Sequence, residues 1–223
     1  MTALAALGVT LLLREPDREP LMRQEGHPGD TKPLELVRMG SVLVPCLATL
    51  TLGVTTGTTN SFLPLFARDR GLGNVGFFFT TTSLLSILSG FGMGRLSDRL
   101  GRVTVILPMF IILALGFWGL DWAYSFGMLM VMAAVTGVGF GGARVGLETM
   151  VVDAAPTKLR GMAFSLLYLC FDIGIGGGSM AAGLLSSYTD YGTLYVLVGI
   201  LCLLTAGGFA LAMSWSNPAE EQA

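Results

Sequence analysis

The chain has 223 residues, of which 52% are hydrophobic and only 13% are charged, and its mean hydropathy is +0.70. A soluble domain carries about 25% charged residues, so the composition excludes an ordinary soluble protein and points to an integral membrane protein. The net charge of -2 argues neither for nor against a partner, and no nucleic acid is expected.

Met1 to Leu13 is apolar, but a helix of that length covers only about 20 Å of a hydrocarbon core about 30 Å thick. With no basic region before it and no small-residue cleavage site after it, this stretch is not expected to be a signal peptide. Residues 1–13 read instead as the remnant of a truncated helix. Residues 14–38 read as a linker, interrupted by Pro16, Pro20, Pro28, Pro33, Gly26 and Gly29 and carrying charges of both signs. Residues 39–216 predict a transmembrane domain of six helices, at about 41–63, 75–94, 103–121, 125–147, 163–187 and 191–213, followed by a tail at 217–223. Open strands would leave unsatisfied edges in lipid, and no alternating barrel pattern is present, so the expected class is an all-α membrane protein.

Lysine and arginine set the orientation. Arg14, Arg18, Arg23, Lys32 and Arg38 precede the first span, Arg95, Arg99 and Arg102 lie between the second and third, and Lys158 and Arg160 lie between the fourth and fifth. Only Arg68 and Arg70 fall on the other side, and Arg144 lies within a span. The linker and the tail are therefore expected in the cytoplasm, in a plasma or bacterial inner membrane. Trp122, Tyr124, Tyr188, Tyr191 and Trp215 fall at span ends, as an interfacial belt requires.

A polar side chain inside lipid needs a partner or a wet cavity. In span one, Thr49, Gly53, Thr56 and Asn60 recur at helical steps. They form either a face packed through hydroxyls bonded to their own helix or, with Thr56 and Asn60 as lining, a substrate path. Span four carries the small-residue steps Gly137 to Gly141 and Gly142 to Gly146, then Arg144 and Glu148 at the spacing of a helical ion pair. This pair either snorkels to the headgroups or acts in coupling or substrate binding. Asp172 sits near mid-membrane in span five among Gly174, Gly176, Gly177, Gly178 and Gly183. Buried there, it would serve as a proton carrier or as structural glue. Cys46, Cys170 and Cys202 have no ligand spacing, and the single His27 lies in the linker, so no metal or cofactor is expected.

Gly94-Arg95-Leu96-Ser97-Asp98-Arg99-Leu100-Gly101-Arg102 reads as a polar turn between spans two and three. With Gly94, Asp98, Arg99, Gly101 and Arg102 in register, it resembles the signature loop of the major facilitator superfamily. Ser97 stands where that loop has alanine, and Val103 where it ends in a basic residue. Asp153-x-x-Pro156-x-x-x-Arg160-Gly161 resembles the matching stretch in the family's carboxyl-terminal half. The resemblance implies half of that fold, two inverted three-helix repeats, with Asp98 as a gate carboxylate and Arg99 and Arg102 as its charge partners. The missing amino-terminal half, or a second copy of the chain, would complete it.

The function expected is secondary active transport of a small organic molecule by alternating access, coupled to protons through Asp172 and directed outward. Proton-coupled uptake is the alternative direction, and a non-transporting assembly subunit is a third reading. A membrane enzyme is disfavoured, because no span supplies a histidine for serine chemistry and Asp98, Asp153 and Asp172 are too scattered for headgroup transfer.

Overall fold

The structure, a computed structural model, describes residues 40–216, apart from a few side chains that include those of Asp98 and Lys158. The expected stub, linker and tail lie outside the described residues. Six helices follow in order: α1 Gly40–Asp69, α2 Gly76–Leu100, α3 Arg102–Asp121, α4 Phe126–Ala154, α5 Arg160–Ser186 and α6 Tyr191–Ser216, with a 3-10 turn at Thr157–Leu159 before α5. All six are long and apolar enough to cross a membrane, which makes this an integral multi-pass protein.

Several helices run past the predicted spans. α1 ends at Asp69 rather than 63, α2 at Leu100 rather than 94, and α4 at Ala154 rather than 147. Hydropathy falls where charges begin, but intrahelical hydrogen bonding continues into the headgroup region, so a hydropathy boundary underestimates the helix. The polar turn expected at 94–102 is therefore helical through Leu100. Gly101 alone turns the chain, at φ +90° and ψ 149°, a conformation open essentially only to glycine.

α1 packs most extensively on α5 and α2 on α4, while α3 lies against both α4 and α6. Exchanging the first three helices for the last three maps α1·α5 onto α4·α2. Because an odd number of crossings separates α1 from α4, the second trio enters from the opposite face, which is the inverted-repeat arrangement.

Apolar burial gives helices little net attraction in lipid, so close packing has to hold them together. At α1·α5, a Cβ added to Gly53 would strike the Phe171 carbonyl and lie 2.8 Å from the Gly174 Cα, and Gly57 and Gly178 repeat such contacts one turn on. At α2·α4, Gly137 and Gly141 admit the Thr82 and Ser86 backbone in the same way. Leu52, Phe110, Leu113, Leu129, Leu147 and Tyr195 fill the centre. α2 and α5 are the least buried helices and turn large apolar faces outward.

Candidate functional site

At one end of the bundle the two sequence motifs meet. Arg102, the first residue of α3, places Nε and Nη2 each 2.9 Å from Asp153 Oδ2 on α4. Its Nη1 donates to Ser97 Oγ on α2 at 3.3 Å, and Ser97 is buried. Arg102 thus straps the α2–α3 turn of the first repeat to the end of α4, the first helix of the second. Arg99 is exposed, and Gly94 faces Val145 of α4. The Asp98 side chain lies outside the described residues, so the carboxylate seen on Arg102 is that of Asp153, which sequence reasoning placed in the second motif without pairing it. Opposite charges in two motifs on the same membrane face were the available signal.

Three hydroxyls on the expected polar face of α1 bond to their own helix: Thr49 to the Pro45 carbonyl at 2.8 Å, Thr56 to Leu52 at 2.9 Å and Thr59 to Thr55 at 2.7 Å. This spends each proton and leaves the oxygens able to accept. Asn60 differs, because it is exposed and its amide has no partner among the described residues. Pro64, four residues on, also brings no N–H to the Asn60 carbonyl. Thr56, Thr59 and Asn60 line a cavity of about 150 Å³ closed by Phe78 and Phe79 of α2, Phe117 of α3 and Phe140 of α4. The phenylalanines were not singled out by the sequence, since their spacing is also that of ordinary core positions.

One turn further along the α2·α4 seam, Ser86, Ile87, Arg144, Glu148 and Tyr168 line a second cavity of about 340 Å³. Arg144 Nε donates to Glu148 Oε1 at 3.0 Å, and Tyr168 Oη donates to the same oxygen at 3.0 Å. The guanidinium carbon lies 5.4 Å from the Phe171 ring centroid and 5.8 Å from that of Tyr168. About 15 Å of helix axis separates Arg144 from the end of α4 at Ala154. The guanidinium is therefore held between Glu148, one turn nearer the end of α4, and the Phe171 and Tyr168 rings of α5.

Asp172 stands exposed on α5, with no hydrogen bond or ion pair to another described residue. Its neighbours divide by face. Gly174 and Gly178 abut α1, whereas Gly176 and Gly177 meet open space. The expectation of a carboxyl enclosed by close packing is thus not met within these six helices. At the opposite end, Arg70 binds Asp121 at 3.5 Å and lies between the Phe66 and Tyr124 rings, tying the α1–α2 and α3–α4 connections together. Trp122, Tyr124 and Tyr188 are strongly exposed at that end, as an interfacial belt requires.

A family model described as Major Facilitator Superfamily matches residues 45–223. A 4-hydroxybenzoate transporter, PcaK of Pseudomonas putida, is 26% identical over 78% of this chain and 40% of its own length. An MFS-type efflux transporter, phmH of Phaeosphaeria nodorum, is 30% identical over 54% of this chain and 22% of its own. Among solved structures, a bacterial homologue of the human lysosomal transporter Spinster, inward-facing and unoccupied, superposes with a TM-score of 0.57 at 19% identity, covering 82% of this chain and 44% of that one. That likeness concerns the fold. The chain spans about two fifths of the length of the Pseudomonas relative. The proteins it resembles are transporters, not enzymes.

Proposed function

The chain belongs to the Major Facilitator Superfamily, and from that premise we propose that its six helices work as one half of a secondary transporter, moving a small organic molecule by alternating access. The observation that carries the reading is the run of two cavities along α2·α4, from the Thr56 and Asn60 face to the Arg144–Glu148 pair, in a fold otherwise packed through glycine and apolar contacts. The end bearing Arg95, Arg99, Arg102 and Arg160 is taken as cytoplasmic, from its excess of basic residues.

Gating is assigned to the strap at that end, Arg102 with Asp153 and Ser97, together with Asp98, Arg99, Gly94 and Gly101 of the same motif. An exposed ion pair contributes only about 0–1 kcal/mol, so it can break and re-form as the halves rock. Coupling is assigned to protons through Asp172, a carboxyl on the outward face of α5 that a second half or a second copy of the chain would cover. The direction proposed is export, which the name of the efflux relative supports. Uptake is the second reading, favoured by the relative named for a substrate rather than for efflux.

Solute flux into everted and right-side-out vesicles with an imposed pH gradient tests the direction and the coupling. Export predicts gradient-driven accumulation in everted vesicles, and uptake predicts it in right-side-out ones. Asp172→Asn is expected to abolish the response to the gradient in protein that still elutes as a single species; an unchanged response overturns the coupling assignment. For the gate, Arg102→Ala is expected to shift cysteine labelling of the Asn60 region from one side to the other, and an unaltered pattern counts against it.

A further inference from the structure

Arg144 uses little of its hydrogen-bonding capacity. A guanidinium has five N–H donors, and within the described residues only Nε is spent, on Glu148. Phe171 and Tyr168 hold the group by their faces, which positions it without consuming N–H groups. The parallel Nη donors are left for a ligand, and the residue lines a cavity of about 340 Å³.

We propose that this edge takes the carboxylate of an aromatic monocarboxylate whose ring lies one helical turn further along the seam, against Phe140 and Phe79. The proposal rests on the transporter reading and names the substrate class of its site. Two parallel N–H groups match the two oxygens of a carboxylate. Glu148 offsets the charge of Arg144, so a small inorganic anion finds little net attraction, and binding has to draw on the fork geometry and on burial of an apolar body. The seam supplies the place for that body. Phe140 precedes Arg144 by one turn of α4, about 5.4 Å, lines the smaller cavity with Phe79, and meets Phe171 at a ring separation of 6.4 Å. The same cavity holds Thr56 and Thr59, whose hydroxyl oxygens remain free to accept, and the unpartnered amide of Asn60. A polar substituent on the far side of the ring therefore meets hydrogen-bonding groups, and a purely apolar one does not.

The test is calorimetric titration of the purified full chain in nanodiscs with benzoate, benzamide and inorganic phosphate. Benzoate is expected to bind roughly tenfold more tightly than benzamide, as a charge-assisted pair outranks a neutral one, and phosphate is expected not to displace it. Arg144→Gln should erase the preference for benzoate over benzamide, Arg144→Lys should retain part of it, and Glu148→Gln should strengthen benzoate binding by removing a competing carboxylate. Absence of benzoate binding, equal binding of benzoate and benzamide, or a preference that survives Arg144→Gln overturns the proposal. If Arg144→Gln fails to fold, the acid and amide comparison on the unaltered chain and on Arg144→Lys still decides. A chain that carries a neutral solute across vesicles but ignores benzoate overturns this assignment alone; one that binds benzoate yet moves no solute overturns the transport reading alone.

Discussion

The seams α1·α5 and α2·α4 occupy equivalent places in the two repeats, yet the two cavities of about 150 and 340 Å³ that gather amide and charged side chains lie along α2·α4. On α1·α5, glycine faces glycine, and the cavity beside it, about 170 Å³, is walled by Val54, Leu185, Leu194 and other apolar side chains with Thr58 as its sole hydroxyl. On α2·α4, glycines of α4 face Thr82 and Ser86, hydroxyls cross the seam, and the adjoining cavities gather Asn60, Arg144, Glu148 and Tyr168. Space alone does not admit water or a polar solute; two to four polar partners are also needed. Equivalent glycine packing thus accompanies an unequal distribution of polar groups.

The comparison can be broken most severely at its glycines. Gly174→Leu places a branched side chain against the Leu50 carbonyl and the Gly53 Cα. Because the obstacle is backbone, the change is expected to exceed the usual overpacking cost of about 1–3 kcal/mol and to abolish a monodisperse size-exclusion peak. Gly176→Leu, two residues away in open space, is expected to elute normally, so equal behaviour of the pair would refute the seam. Gly141→Ala, against the Ser86 carbonyl, is expected to fold but to lose about 1–3 kcal/mol in thermal or denaturant titration. The finest distinction lies in the hydroxyls. Ser89→Ala removes a 2.7 Å bond to the Val138 carbonyl from a buried site and should cost up to about 1.7 kcal/mol, whereas Ser61→Ala removes an exposed 3.1 Å bond to Ser179 and should cost no more than about 0.6 kcal/mol.

The six helices, their order and the close-packing role of Gly137 and Gly141 were legible in the sequence because lipid leaves few ways to satisfy a backbone, and small residues at four-residue steps have one dominant use. The ends of α2 and α4 were not, since hydropathy stops where the charges of Arg95 or Glu148 begin and hydrogen bonding does not. The pairing of Arg144 with Glu148 followed from their spacing. Its support by Tyr168 and Phe171 required knowing which helix lies beside α4, information that resides in tertiary packing. Asp172 shows the converse: its place in a glycine-rich span suggested enclosure, but helical phase puts Gly174 against α1 and turns Asp172 away from it. Arg102 and Asp153 lie about fifty positions apart, and only the fold brings them together.

Gly101 carries a consequence for how the protein is made. A single residue joins α2 to α3, too little chain for one helix to cross the bilayer while the other waits in water. The two are therefore expected to leave the translocon together as a hairpin, with Arg95, Arg99 and Arg102 at the bend held on the side where they were synthesised. This shortest of the connections between the described helices is thus also expected to act as a topological anchor for the helices that follow it.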